Sequence, residues 1–342
     1  MGKPTVHDIA SEAGVSLATV DRVLNGRPGV RQKTQDRVQS AIMRLGYVRD
    51  LSAANLARQR QYRFAFVLPE GPGQFVGLLQ AALREATDVQ RADRISVRVL
   101  QVPAHDPHQV VRTLNTIDAK HYDGVAIMAQ ETPQVRDAVH RLKTAGLPVV
   151  TLISDLPNSD RDHFVGVNSI AAGRTAGLLM GRFLRGLTGK ILVVTSSLLA
   201  RDSLERRFGF DSVMAEKFGS LEILPTLEAH DDAERMAAIV RSSLDVHPDI
   251  VGIYSLASGN KALIESLRLT GRFQDFVVIA HELTSQTRDA LERDELAAII
   301  TQDVGHLVRS AVRVLRAKSD GLSVIQSQER IRIEVLLKEN LP

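Results

Sequence analysis

The sequence predicts an α/β protein, with a small all-α head followed by two doubly wound lobes built on parallel sheets. Three observations point there. From Tyr62 onward, short apolar runs alternate with stretches whose apolar residues recur at helical spacing, the pattern of parallel strands covered by helices on both faces. That alternation runs through two similar rounds, the second restarting near Lys190. Ahead of residue 47 the pattern is helical only, and 342 residues with 44% hydrophobic side chains suit two or three cores.

In the head, Val6, Ile9, Ala10 and Ala13 share one helical face, and Gly14 breaks the run. Ser16 is a good N-cap for a second helix over 17–24, with Val20, Val23 and Leu24 inward. Asn25-Gly26 ends it. A third helix is predicted from Gln32 to Leu45, with Gly46 as its stop. Residues 47–61 are polar and alanine-rich, too poor in large apolar side chains for a stable isolated helix. They read as a linker that becomes helical only on binding. The expected organisation is a head over 1–48, a linker over 49–61 and a large domain over 62–342.

In the large domain, strands are expected over 63–69, 96–102, 124–129, 148–154 and 163–167, with helices over 75–90, 107–119, 133–145 and 169–186. The second round predicts strands over 190–197, 221–227, 250–256, 276–282 and 297–302, with helices over 203–218, 232–246, 260–270, 285–293 and 304–318. The stretch 330–338 alternates as a strand does. Ligands in such folds sit beyond the carboxyl ends of the strands, here in a cleft between two lobes.

Charge is unevenly spread. Residues 1–60 carry ten Lys/Arg and five Asp/Glu, a net +5, whereas the remainder is net −2. A local basic excess suits a polyanion, though a solvated basic face has the same composition. With no cysteine there is no disulfide, thiol nucleophile or thiolate metal site. No signal-peptide pattern or apolar run of membrane-spanning length is present, so a cytoplasmic protein without a membrane partner is expected.

The first two helices fit a helix-turn-helix, whose second helix enters the major groove. Once Val20, Val23 and Leu24 turn inward, Leu17, Ala18, Asp21, Arg22 and Asn25 face outward. Leu17 and Ala18 suit thymine methyls, and Arg22 suits the paired acceptors of a guanine. Thr5, Ser16 and Thr19 suit phosphates, with helix N-terminal amides assisting. Asp21 is either a cytosine reader or a salt-bridge partner within the head.

The run TVHDIASEAGVSLATVDRVLNGRPGVRQKTQDRVQSAIMRLGY resembles the N-terminal motif of the LacI family of regulators. The resemblance implies a homodimer on double-stranded, pseudo-palindromic operator DNA. It makes residues 49–61 a hinge helix whose Leu56 wedges into the minor groove, or alternatively packs against the sensor. Arg49 stands where many members have proline, Ala54 where many have arginine, and Asp21 replaces a usual serine. These departures bear on the operator sequence.

The remainder resembles the periplasmic sugar-binding-protein fold that this family uses as its sensor. VVTLISD ends on Asp155, VGVNSIAAGRTAG carries Asn168, SLERRFGF carries Arg206, IYSLASGN carries Asn260, AHELTSQTRDAL carries His281 and Glu282, and ITQD carries Gln302. The resemblance makes these the candidate ligand groups. They are chemically apt, because carboxylates accept from paired hydroxyls while Arg and Asn donate. Phe75 is the candidate to stack under a sugar ring; Phe208 is a second, or else a core residue. Each polar group also has a plain structural reading, such as a turn for Asp155 or helix caps for Asn168 and Asn260.

No cofactor, metal site or catalytic group is expected. The sequence has no P-loop, G-x-G-x-x-G after a strand, G-x-S-x-G elbow or HExxH, and His7, His105, His108, His121 and His140 lie scattered. The expected function is therefore a DNA-binding regulator, a repressor, controlled by a small sugar or polyol. A purine or phosphorylated-sugar corepressor is the first alternative, and a transport solute-binding protein is a remote one.

Overall fold

The computed structural model describes residues 4–24, 27–47, 60–70, 74–89, 94–104, 106–256 and 259–342. The chain divides into two compact units, 1–60 and 61–342.

The first unit holds three helices, α1 (Val6–Ala13), α2 (Leu17–Leu24) and α3 (Gln32–Leu45). Thr5 starts α1 through a reciprocal capping box with Asp8. Gly14 ends it in the left-handed region at φ 61°. The Ser16 hydroxyl accepts from the Thr19 amide at 3.2 Å and opens α2. Ile9, Ala10, Ala13, Val20, Val38 and Ala41 form the core, ringed by Val15, Val23, Leu24, Ile42 and Leu45. Arg37 reaches across from α3 and donates to the Ala13 and Gly14 carbonyls, the latter at 3.0 Å. A cation there satisfies carbonyls that the end of α1 leaves open.

The second unit has two lobes. In the first, β1 (Tyr62–Glu70), β2 (Ile95–Pro103), β3 (Gly124–Ile127), β4 (Val149–Leu152) and β5 (His163–Val165) form an all-parallel sheet in the order β2-β1-β3-β4-β5. Its helices are α4 (Gln74–Val89), α5 (Pro107–Asn115) and α6 (Pro133–Thr144). The pleat of β1 sends Phe64, Phe66 and Leu68 to one apolar cluster, and Ala65 and Val67 to another shared with α5 and α6. Both faces are therefore covered, and strands buried on two sides read as continuous apolar runs.

The second lobe contains α7 (Ser169–Phe183), β6 (Gly189–Thr195), α8 (Arg201–Lys217), β7 (Leu221–Ile223), β8 (Leu227–Glu228), α9 (Ala233–Val246), β9 (Ile250–Ser255), α10 (Asn260–Thr270), β10 (Val277–His281), α11 (Ser285–Glu292) and β11 (Ala298–Thr301). The last helix and strand are α12 (Val304–Ser319) and β12 (Glu334–Leu336). The sheet order is β12-β11-β10-β9-β6-β7, with β8 also paired to β6 and β12 antiparallel to β11. The N-terminal helices followed by two parallel α/β sheets are the predicted fold class.

One feature is absent from the strand-helix rhythm. Helix α12 leaves the second lobe and buries Leu307, Val308, Ala311, Val312 and Leu315 in the first-lobe core beside Phe64 and Phe66. The chain then returns to pair β12 with β11. With the passage from β5 to α7, it crosses between lobes three times.

Candidate functional site

On the head, Leu17, Ala18, Asp21 and Arg22 are exposed on α2, with Leu17 42% accessible. Thr5 and Ser16 are exposed and Thr19 is half-buried, its hydroxyl 2.9 Å from that of Ser16. Asp21 makes an exposed ion pair with Arg27 at 3.3 Å. Asn25 and Leu56 lie outside the described residues. Asp8 is held below its usual carboxylate range by the Thr5 amide, and next by the Thr5 hydroxyl.

In the large unit a cavity of about 390 Å³ opens where the strand ends of the two lobes meet. The first lobe lines it with Glu70, Phe75, Met128, Gln130, Ile153 and Ser154. The second contributes Ser196, Ser197, Asp202, Ser203, Arg206, Asp231, Asn260, Lys261 and Glu282, among others.

Arg206 is the best-anchored of these groups, with 2% of its surface accessible. Its Nη1 donates to the Leu256 carbonyl at 2.7 Å and its Nη2 to Glu282 Oε1 at 3.3 Å. Asp202 lies 3.7 Å away. What seats it is the close crossing of α7 and α8: a Cβ on Gly173 would fall 1.9 Å from the Arg206 carbonyl oxygen, and one on Gly209 2.1 Å from that of Ile170. Glycine permits the two backbones to meet.

Glu282 follows β10 with φ 69°, a left-handed backbone that non-glycine residues rarely adopt. Its Oε1 also accepts from Gln302 Nε2 at 3.1 Å, whereas its Oε2 has no partner. Burial pushes its carboxyl above the usual range, although Arg206 opposes this. Ser154 Oγ, Ser196 Oγ and Arg206 Nε are likewise buried without partners. Unpaired buried polar atoms are costly, so four around one cavity mark a place for a ligand's hydrogen bonds. Among the described non-glycine residues with positive φ, Ile153, Asp231 and Glu282 all line it. Such strain persists where the surroundings over-determine it, as at binding sites.

The predicted set is only partly brought together. Phe75, Arg206, Asn260 and Glu282 line this cavity. Gln302 lines an adjoining one of about 300 Å³, which shares Phe75 and Glu282. The Asn260 amide joins two strand ends, accepting from Ser255 Oγ and donating to the His281 carbonyl, each at 2.7 Å. Asp155 is not among the lining residues: it accepts from Thr151 Oγ1 at 2.8 Å, the Leu156 amide at 2.7 Å and Arg161 Nε and Nη2. Burial raises its pKa, but the Arg161 and Thr151 hydrogen bonds outweigh that and hold it below the usual range. Asn168 is exposed and caps α7, accepting from the Ala171 amide at 2.9 Å. His281 is buried with Nε2 2.8 Å from the Tyr254 hydroxyl, and burial, then Arg206, keeps it well below the usual imidazole value. It is tilted against the Tyr254 ring, which in turn stacks on Phe210, and is not among the lining residues. Phe208 is 62% exposed, because helical spacing turns Arg206, Phe210 and Val213 inward instead.

Sequence reasoning passed over Ser154, Ser196 and Asp202. The signal was there in the strand-terminal serines of LIS and TSS, but serine at a strand end is equally a turn residue.

Comparison with known proteins agrees with this layout. The family described as "Bacterial regulatory proteins, lacI family" matches residues 5–50, and "Periplasmic binding protein domain" matches residues 64–323. Among curated relatives, Catabolite control protein A of Streptococcus mutans is 31% identical over 162 residues, 46% of this chain and 47% of that protein. The HTH-type transcriptional regulator DegA of Bacillus subtilis is 26% identical over 51% of this chain and 50% of its own length. The match thus spans about half the length of these relatives. Among solved structures, the glucose-galactose binding protein GanP from Geobacillus stearothermophilus aligns with TM-score 0.74 and 21% identity, covering 83% of this chain and 99% of that one. A solute binding protein from Burkholderia graminis in complex with D-arabinose aligns with TM-score 0.72 and 22% identity, covering 82% and 96%. At these identities the two structures establish the fold. With a regulator head and a binding-protein domain together accounting for most of its length, the chain belongs to the LacI family of bacterial regulatory proteins.

Proposed function

We propose that this chain is a sequence-specific DNA-binding repressor, homodimeric and cytoplasmic, whose operator affinity is set by a small sugar or polyol held between the lobes of the large unit. The observation that carries it is the set of unpartnered buried atoms from both lobes around one cavity. A ligand that satisfies Ser154 on one wall and Ser196, Arg206 and Glu282 on the other favours the placement of the lobes in which it touches both. The three chain crossings between lobes are where such a change is taken up. In the head, the outward Leu17, Ala18 and Arg22 suit base edges, and Ser16 and Thr19 suit phosphates. Leu56, in the hinge, wedges into the minor groove. No helix of the described residues is long and apolar enough to cross a membrane.

The test is selection of genomic fragments by the purified protein at low salt, repeated with sugars and polyols. A pseudo-palindromic fragment is expected to be preferred, with effector changing its affinity by about 5–150-fold. Arg22→Ala is expected to weaken discrimination at one base pair by about 1–3 kcal/mol. Equal binding of every fragment and random duplex, with or without added solutes, overturns the proposal.

A further inference from the structure

We propose that the effector is a polyhydroxylated amine, a sugar or polyol bearing one protonated nitrogen, rather than a neutral or phosphorylated sugar. This rests on reading the inter-lobe cavity as the effector site. Six carboxylate residues line the cavity against two cationic ones, among the described residues. Both cations already have acid partners in the wall. Arg206 faces Glu282 at 3.3 Å and Asp202 at 3.7 Å, and Lys261 faces Glu265 at 3.9 Å. The excess over the two cations is therefore negative, and a phosphate entering the cleft meets repulsion.

The orphaned atoms define what the ligand presents. Glu282 Oε2 is buried and accepts only; it calls for a donor, and an ammonium supplies three along with the opposite charge. Asp202, also buried at the cavity wall, adds a like charge near the Glu282 carboxyl, so two acids share the single Arg206 cation and a ligand cation at Oε2 adds to its compensation. Arg206 Nε needs an acceptor, which a ligand hydroxyl provides. Ser154 and Ser196, one from each lobe, take hydroxyls as donor or acceptor. One cationic position among several hydroxyl positions is the pattern of an aminated polyol. Among the described residues no group of three His, Cys, Asp or Glu is arranged to hold a metal ion.

The experiment is calorimetric and thermal-shift titration of the full chain with D-glucose, D-galactose and D-mannose, each beside its 2-amino-2-deoxy form and its 6-phosphate. At least one amino sugar is expected to bind about tenfold tighter than its parent, equivalent to about 1.4 kcal/mol. That preference is expected to shrink with added salt. In Glu282→Gln the amine and the parent are expected to converge; if this variant fails to fold, the salt dependence of the unaltered protein decides. A parent that binds as well as its amine, or a 6-phosphate that binds best, overturns the amine and leaves the cleft as the effector site. No response to any of the nine compounds at millimolar concentration overturns both.

Discussion

Acids at the strand ends on the two sides of the cleft are used in opposite ways, Asp155 behind the lining and Glu282 in it. On the first-lobe side Asp155, beyond the end of β4, has both oxygens engaged by Arg161, Thr151 and the Leu156 amide. On the second-lobe side Glu282, beyond the end of β10, shares Oε1 between Arg206 and Gln302 and leaves Oε2 unmatched. Both are acids at strand ends, where ligands of doubly wound folds gather. The difference teaches that position alone does not leave an acid able to take a further hydrogen bond; what its neighbours have already used decides that. Asp155 fixes the loop behind the wall, and Glu282 keeps a hydrogen bond in reserve.

Removing Arg206 is the most direct way to break this comparison. Arg206→Ala leaves Glu282 and Asp202 buried without their cation and is expected to cost about 3–5 kcal/mol in chemical denaturation. Adding Glu282→Gln to that variant is expected to restore part of the loss, because the uncompensated charge is gone. A loss of only a few tenths would mean that water, not Arg206, balances these acids.

A smaller effect sharpens the other wall. Asp155→Asn strands half-buried Arg161 and is expected to cost about 1–3 kcal/mol at neutral pH, with effector affinity unchanged. Asp155 is held below its ordinary value of 3.8. Its contribution is therefore fully present above 3.8 and is lost as pH falls through the lower folded value. The variant's stability is expected to depend less on pH in that acidic window, as read by denaturation midpoints. If Asp155→Asn instead abolishes effector binding and leaves stability alone, the two walls do not differ as described.

The smallest expected change carries the opposite sign. Burial lifts the Glu282 carboxyl above 4.5, so its contribution is present below 4.5 and lost as pH rises through the raised folded value. Glu282→Gln, measured without ligand from about pH 5 to about pH 8, is expected to match the unaltered protein at the acid end and equal or exceed it at the alkaline end. A variant that grows relatively weaker as pH rises contradicts this.

Much of the fold was legible because its signals are local. The Thr5 cap, the Gly14 stop and the apolar face Ile9–Ala10–Ala13 all lie within a few residues of the helix they define. The site was less legible. Arg206 and Glu282 stand 76 residues apart, and nothing in either segment announces the other. The capture of Asp155 by Arg161 is short in sequence, but it depends on the turn between β4 and β5 bringing the guanidinium back.

By itself the sequence determined the alternation of strands and helices, the helix-turn-helix and the presence of two lobes. These follow from periodicity, capping and turn chemistry, which act within a window of a few turns. Only the tertiary structure decided that α12 packs on the first lobe, that glycines at the α7–α8 crossing seat Arg206, and which polar atoms remain unmatched. An amphipathic helix has an apolar stripe that fits many sheet faces, and an oxygen's free lone pair depends on every neighbour that folding brings near.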